Sequence, residues 1–480
     1  MKSNFKTNPM RNIISLFLGA LLVLACKPES GKGTTYTLLQ GATVFDGNGL
    51  TIPNGKILIS EGRIIAIGGE ELKIPEQTEL IDLPGKFITP GLVDAHVHFS
   101  QTGFFDGRPD ALDIRDTLSF DTVQAVQRRD PDRYFETYLR SGVTAVYDVG
   151  GFDWTIDLQK SAEGNLNAPH IAASGPLLTP FPQERLDLFN VLPARQMLAL
   201  NSSDFGKEYV KRNTELGSTG IKIWSINLKD SIFMQSFKAV AEEVTRVGNQ
   251  LIVHATDLDQ AKEALQLGAK VLVHSVDDQV LDEEFLRLAK ESGVIYCPTL
   301  VVVPGYSVAY RSLKGDFPIN DPYQTLDPET RNLLKSSKTF FKYYPNPEKY
   351  DENLQVVKDR DDKLRQVMYT NLKLVYEAGI TIALSTDAGN PGTLHGLSVY
   401  DELEAMQRSG IPAADIIPMA TRNGASAMRR TEDFGTLQAG KMADLIVMEK
   451  DPSADVANFR TITHVMRGGL LRPVKTPFVK

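Results

Sequence analysis

Cysteine is scarce in this chain, which has only Cys26 and Cys297 among its 480 residues. Because Cys297 has no partner within the chain apart from Cys26, we expect no structural disulfide. Basic residues are also in the minority, since 52 lysines and arginines face 60 acids and the formal net charge is −8. Without a basic run or stripe, the sequence does not favour nucleic acid as a partner.

The N-terminus is typical of an export signal. The apolar stretch at 13–25, IISLFLGALLVLA, follows a positive region and is too short for a comfortable membrane span. It ends with Ala25 before Cys26, which resembles the lipobox of bacterial lipoproteins. The resemblance implies removal of a signal peptide at 1–25, lipidation of Cys26, and a lipid-anchored place in the bacterial cell envelope, on its periplasmic or surface side. An ordinary signal peptide and an uncleaved anchor are the alternatives for this N-terminus. Residues 26–35 are predicted to form a tether.

The two ends of the remaining chain resemble each other and differ from its middle. Residues 36–89 and 434–475 are rich in short strands and turns, whereas apolar runs alternate with helix-like segments over 90–433. So many parallel-type strands favour a closed (β/α)₈ TIM barrel over an open sheet. We therefore predict an α/β fold, with a small β-sandwich domain built from both chain ends. The aromatic-rich insertion at 304–350 is either a lid or a packed helical excursion.

Side chains that bind metals recur near the ends of the predicted barrel strands. In GLVDAHVHFS at 91–100, the two histidines are one residue apart, so a strand would point both to one face. The end of the strands that carries them is the end that bears the active site of such barrels. The candidate ligands are His96, His98, Lys222, His254, His274 and Asp387.

Each candidate also has a purely structural explanation. A histidine can be a hydrogen-bonded core residue, an aspartate can cap a turn, and a lysine between isoleucines can extend to solvent. Repetition at matching ends of several strands favours the metal site over these separate coincidences. We assign His170 and His464 to structural roles, whereas His395 follows the Asp387 loop and is a candidate substrate-binding residue.

Several motifs resemble those of the amidohydrolase superfamily. GLVDAHVHFS, the GIKIW lysine, IVHATD, LVHSVDD and STDAGNPG look like its metal-ligand motifs. MATRNGASAM at 419–428 and FGTLQAGKMADLIVMEKDP at 434–452 resemble its usual ending, where the chain leaves the barrel. The resemblance covers residues 36–472 and is closest to the imidazolonepropionase-like branch. That branch includes prolidase-like dipeptidases acting on Xaa-Pro, Xaa-Arg or Xaa-Lys.

The resemblance implies a centre of two divalent metal ions, with zinc as the default and manganese or cobalt left open. One ion would be held by His96, His98 and Asp387, and the second by His254 and His274. Lys222 would bridge them as N6-carboxylysine, because a neutral buried amine can add CO₂ to give an anionic carbamate. A hydroxide shared by the metals would attack an amide, with Asp387 as catalytic proton shuttle.

The substrate stays open, because this chain departs from its relatives at Ala145, Tyr147 and Val273. The first hypothesis is an amidohydrolase that cleaves a small amide, such as a dipeptide or an N-acyl amino acid. A second is a cyclic amidohydrolase or deaminase with one metal, and a third is a catalytically inert binding lipoprotein. We expect a small-molecule partner, membrane contact only through the lipid anchor, and leave a homo-oligomer open.

Overall fold

The computed structural model describes residues 35–478. The predicted signal peptide at 1–25, the lipidation site at Cys26 and all but the last residue of the tether at 26–35 lie outside the described residues. Within the described part of the chain, no helix combines the length and the apolar character needed to cross a membrane.

The strands are β1 (Tyr36–Phe45), β2 (Thr51–Ser60), β3 (Arg63–Gly68), β4 (Thr78–Asp82), β5 (Phe87–Pro90), β6 (Leu92–Val97), β7 (Val143–Asp148), β8 (His170–Ala173), β9 (Leu177–Thr179), β10 (Met197–Ala199), β11 (Ile221–Trp224), β12 (Leu251–His254), β13 (Val271–Val273), β14 (Ile295–Cys297), β15 (Thr381–Ile382), β16 (Leu445–Met448), β17 (Ile462–Arg467) and β18 (Leu470–Pro473). The α-helices are α1 (Phe120–Arg129), α2 (Arg133–Arg140), α3 (Asp153–Glu163), α4 (Gln183–Leu186), α5 (Ser203–Glu215), α6 (Ser231–Arg246), α7 (Leu258–Gln266), α8 (Glu283–Ser292), α9 (Val302–Arg311), α10 (Pro328–Lys335), α11 (Tyr350–Glu377), α12 (Ser398–Arg408), α13 (Ala413–Met419) and α14 (Arg422–Ala427).

The middle of the chain forms the predicted parallel barrel. Parallel pairing runs through β6, β7 and β8, and separately from β9 through β11 to β15. Consecutive β8 and β9 occupy one position, and the N–H of Thr219, just before β11, donates to Ala173 O at 2.9 Å. On the other side, Ala95 N donates to Leu384 O at 2.9 Å, which joins β6 to the segment after β15. These bonds close a ring of eight strand positions and confirm the predicted fold.

Helix starts in the barrel follow from local sequence. Asp230, Asp257 and Asp282 each precede a helix and accept hydrogen bonds from N–H groups of its first turn. Such caps satisfy backbone donors that a helix leaves unpaired. Helix α8 ends at Gly293, whose φ of 63° is the left-handed conformation that favours glycine. The capped helices run between the parallel strands and cover the barrel.

Both chain ends build a separate β domain, as predicted. Its strands lie in the order β18-β17-β16-β5-β1-β2-β3, with β4 paired to β1. Antiparallel pairing of β16 with β5, with Leu445 opposite Pro90, joins the C-terminal part to the N-terminal part. Buried aliphatic residues of this sheet, including Leu39, Ile57 and Val447, form a hydrophobic cluster apart from the barrel core.

The insertion at 304–350 is largely helical and packs on the barrel. It contains most of α9, all of α10 and two 3₁₀ turns, Ser337–Tyr343 and Pro347–Lys349. Phe340 is buried against Phe104, with ring centroids 6.2 Å apart. Tyr306 of α9 faces the cavity at the barrel mouth. The helical excursion packs on the barrel and contributes Tyr306 to the cavity lining, whereas a role as a lid stays a prediction.

Candidate metal centre

All six predicted ligands line one cavity of about 260 Å³ at the mouth of the barrel. His96 lies in β6, Lys222 in β11 and His254 at the end of β12, while His98 and His274 directly follow β6 and β13. The segment after β15 brings in Asp387, because Asp387 N donates to His96 O at 2.7 Å. Six residues spread over almost 300 positions thus meet at the carboxyl ends of the parallel strands.

His96, His98 and Asp387 form the tighter half of the site. Asp387 Oδ1 lies 2.9 Å from His98 Nε2 and 3.3 Å from His96 Nε2. The two imidazole Nε2 atoms are themselves 3.2 Å apart. Three potential donor atoms therefore face one point, which is the arrangement that a divalent cation requires.

The other half of the site contains His254, His274 and Lys222. The rings of His254 and His274 lie with their centroids 4.4 Å apart. His274 Nε2 is 3.9 Å from Asp387 Oδ2, so this half adjoins the first. Lys222 is only 2% exposed, and burial lowers the pKa of its amine to about 7. Burial also lowers the pKa of His274 to about 4, which favours the neutral imidazole that binds metals.

Contacts behind the site orient two of the imidazoles. His98 Nδ1 lies 2.6 Å from Gly150 O, and His274 Nδ1 lies 2.7 Å from Thr299 Oγ1. A carbonyl oxygen can only accept, so His98 Nδ1 carries a proton, and Nε2 is the ring nitrogen that faces Asp387. Nδ1 bonding of this kind fixes the tautomer and the ring orientation of metal-binding histidines.

A buried carboxylate joins the two strands that carry the tighter half. Asp94 Oδ2 accepts from the Thr386 hydroxyl at 2.6 Å, and its Oδ1 accepts from Thr386 N at 3.0 Å. Asp94 is two residues before His96, and Thr386 immediately precedes Asp387. The contact therefore holds the histidine pair and Asp387 at a constant separation where the barrel closes.

The site contains buried polar atoms that the described residues leave without a hydrogen-bond partner. These atoms include Asp387 Oδ1, His96 Nδ1 and His254 Nδ1. His274 and Asp387 also have positive φ angles, 74° and 57°, which are uncommon for residues other than glycine. Unpaired buried groups and strained backbone cost free energy, and both are characteristic of functional sites. The donor set and its unmet bonding capacity fit divalent metal ions.

The structure does not bring His395 to the cavity. This residue is 1% exposed, and its ring stacks on Phe99 at an interplanar angle of 19°. Its Nδ1 lies 2.6 Å from the Tyr138 hydroxyl and its Nε2 lies 2.9 Å from Gln101 O. Both nitrogens are therefore engaged within the core behind the site. Proximity in sequence to Asp387 does not place the side chain on the cavity side of the loop.

The sequence analysis missed several cavity residues, among them Arg108, Tyr306 and Asn390. The Tyr306 hydroxyl donates to Asn390 Oδ1 at 3.1 Å, and Arg108 Nη1 approaches the same oxygen at 3.4 Å. Arg108 is 5% exposed, and its Nη2 has no hydrogen-bond partner among the described residues. No strand-end spacing marks these residues, because they come from loops and from α9.

Comparison with known proteins gives a consistent result for this barrel and site. A family model described as the amidohydrolase family matches residues 87–471. An imidazolonepropionase from Fusobacterium nucleatum is 23% identical over 82% of this chain and 85% of its own length. A 5-methylthioadenosine/S-adenosylhomocysteine deaminase from Syntrophobacter fumaroxidans is 23% identical over 91% of this chain and 90% of its own. A solved Xaa-Pro dipeptidase with bound methionine superposes with a TM-score of 0.68 and 22% identity, covering 91% of this chain and all of that one.

The chain belongs to the amidohydrolase family, as its motifs indicated. It is a metal-binding hydrolase that acts on carbon–nitrogen bonds.

Proposed function

We propose that this protein hydrolyses the amide bond of a small substrate that carries a free carboxylate, such as a dipeptide or an N-acyl amino acid, and that it does so with two divalent metal ions, with zinc as the default. The observation that carries this proposal is the convergence of four histidines, Lys222 and Asp387 on one cavity. Bound divalent ions supply Lewis acidity and lower the pKa of a water to about 7.

Lys222 supports two ions rather than one. Its side chain is buried and lines the same cavity as the two histidine pairs, where an ammonium would repel any bound cation. Burial favours the neutral amine, and a neutral amine can add CO₂ to form N6-carboxylysine. The carbamate has one negative charge shared by two oxygens, so the modified Lys222 would be able to hold both ions. An unmodified buried lysine would contribute nothing favourable to such a site.

Asp387 is suited to move the proton. Its carboxylate is 4% exposed and adjoins histidines of both halves of the site. From there Asp387 acts first as a general base, which accepts a proton from the attacking water. It then acts as a general acid, which passes that proton to the leaving amine.

Arg108 supports a carboxylate-bearing substrate. Asp106 Oδ1 accepts from Arg108 Nε at 3.0 Å and Asn390 Oδ1 lies 3.4 Å from Nη1, which leaves Nη2 for another acceptor. Its Nη2 lacks a partner in the described structure, and a planar guanidinium matches a carboxylate with two parallel hydrogen bonds. Asn390 connects Arg108 to the Asp387 loop, since its Nδ2 donates to Asp387 O at 3.3 Å. A carboxylate on Arg108 would thus lie at a set distance from Asp387.

The proposal is tested by hydrolysis of dipeptides and N-acyl amino acids on zinc-loaded protein, with metal counted by elemental analysis. We expect two ions per chain and turnover, both lost in His96→Ala and both kept in the control His464→Ala, which alters the β domain. Full activity of His96→Ala would refute the metal assignment. A metal-loaded protein that is inert across a broad amide panel would favour the binding-protein hypothesis.

Substrate choice has its own matched pair of variants. Arg108→Lys keeps the charge but loses the planar fork, so KM for N-acyl amino acids should rise about tenfold. Arg115→Lys is the control, because Arg115 makes the same contact to an aspartate two residues earlier but lies exposed. Equal KM values for a substrate and its carboxamide would contradict carboxylate recognition.

The second candidate is hydrolysis of a cyclic amide or deamination with one metal ion. Two sequence relatives support this candidate, an imidazolonepropionase and a deaminase, and each aligns with more than four fifths of this chain. One ion per chain, with Lys222→Met retaining activity, would select it over the binuclear enzyme.

We also propose that the exported chain is anchored in the bacterial cell envelope through a lipid on Cys26. The motif at 23–26 is the support for this proposal. Mass spectrometry of the mature protein should find diacylglycerol on an N-terminal Cys26. A mature N-terminus elsewhere, with no lipid, would overturn it.

A further inference from the structure

A buried carboxylate outside the cavity contacts the segment that supports His274. Glu402 of α12 is fully buried. Its Oε1 accepts from Leu300 N at 2.9 Å and its Oε2 accepts from Val301 N at 3.0 Å. Both oxygens therefore bond to backbone donors of the short segment between β14 and α9. Burial raises the pKa of the Glu402 carboxyl group to about 8, whereas the two backbone N–H donors favour its charged form, so this contact holds the segment in one conformation at the expense of solvation.

The segment held by Glu402 contacts His274 through its backbone and through a side chain. His274 N donates to Cys297 O at 2.9 Å, and His274 Nδ1 lies 2.7 Å from Thr299 Oγ1. Thr299 has a φ of 48°, which is rare for a β-branched residue. A conformation of that kind persists only where surrounding contacts impose it. The two hydrogen bonds to Glu402 come from the two residues that follow Thr299, so they restrain the backbone next to it.

We propose that Glu402 is a positioning residue for the second metal site, acting through Thr299 on His274. By holding the segment, Glu402 keeps the Thr299 hydroxyl where it accepts the Nδ1 proton of His274. The Nε2 atom of His274 then retains its lone pair and faces the cavity beside Asp387. This inference rests on the proposed pair of metal sites, but it concerns the tautomer of one histidine and needs no turnover.

The test compares Glu402→Gln with Glu404→Gln. Glutamine offers one acceptor instead of two, so one backbone N–H of the segment loses its partner. Glu404 lies on the same helix but accepts from Arg460 Nε at 2.8 Å, away from the segment. Nitrogen-15 spectra of the histidines report the His274 tautomer, with the signal assigned by its absence in His274→Gln, and zinc titration reports affinity.

In Glu402→Gln we expect a mixture of His274 tautomers in the metal-free protein and a roughly 10- to 100-fold weaker binding of the second zinc ion. Glu404→Gln should match the unsubstituted chain in both the His274 tautomer and the zinc affinity. An unchanged tautomer in Glu402→Gln, together with zinc affinity within about twofold, would overturn the inference.

A second pair of variants decides the matter if Glu402→Gln does not fold. Thr299→Val removes the hydroxyl and should weaken the second zinc ion to a similar degree, whereas Thr299→Ser keeps the hydroxyl and should restore binding. Normal zinc affinity in Thr299→Val would refute the route through Thr299. A chain that binds two zinc ions as expected but hydrolyses no amide would contradict the proposed function and leave this inference standing.

Discussion

Replacing Lys222 by methionine should stabilise the metal-free protein while abolishing its two-metal chemistry. Lys222 is 2% exposed, and burial lowers the pKa of its amine to about 7 from the ordinary 10.5. In the unfolded chain the amine is in water and keeps its ordinary pKa. The folded chain therefore holds fewer protons than the unfolded chain at neutral pH, and this difference opposes folding.

The size of the effect follows from the two pKa values. One pKa unit corresponds to about 1.4 kcal/mol, so an ammonium at this position opposes folding by about 5 kcal/mol at acidic pH. At pH 7 half of the folded molecules are already neutral, which leaves about 4 kcal/mol. The penalty declines further as the pH rises and vanishes near pH 10.5. Methionine has a similar unbranched shape and no charge, so Lys222→Met removes the penalty at every pH.

Urea unfolding of metal-free protein in CO₂-depleted buffer measures this difference. We expect the unfolding free energy of Lys222→Met to exceed that of the unsubstituted chain by up to about 4 kcal/mol at pH 7. This difference in unfolding free energy should become smaller toward pH 10. Lys229→Met is the control, because Lys229 is exposed and its charge is solvated. If Lys222→Met were less stable at both pH values, the amine would be well accommodated in the fold, and the argument for a carbamate at Lys222 would fail.

Three further perturbations have expected outcomes. His395→Phe should keep the stacking on Phe99 but lower the free energy of unfolding in urea by about 2–4 kcal/mol, because the partners of both ring nitrogens lose their hydrogen bonds. The zinc stoichiometry of this variant should not change. Loss of a zinc ion would place His395 at the metal site. Tyr306→Phe removes a hydrogen bond worth about 1 kcal/mol and should lower kcat/KM about fivefold, whereas an unchanged value would show that the Asn390 contact is dispensable. Chelation of the loaded protein should lower its thermal midpoint, in proportion to the free energy of metal binding, and unchanged calorimetric scans would contradict a resident metal.

Local patterns in the sequence were sufficient to predict the barrel and the candidate ligands. Side chains of a strand alternate with a period of two, so the sequence alone predicts that His96 and His98 point to the same face. Parallel strands place their carboxyl ends at one edge, so histidines at the ends of separate strands converge. The match of residues 87–471 to the amidohydrolase family agrees with that reasoning.

Other features depend on contacts between distant parts of the chain. His395 follows Asp387 closely, yet its ring is turned into the core by Tyr138, which is 257 positions away. Arg108 contacts Asn390, which lies 282 positions away in the sequence, and no periodic pattern predicts that contact. The loops and α9 that carry such residues follow no strand-end rule, so their side-chain directions are set by packing.

The chain's own residue order thus predicts which side chains are candidate metal ligands and on which barrel strands they stand, because strand periodicity is a local property of the backbone. Folding alone establishes that Lys222 is dehydrated, that Arg108 is left with an unsatisfied edge, and that Glu402 holds the segment behind His274. Burial and hydrogen-bond pairing are properties of neighbours brought together from far along the chain, and no local pattern encodes them.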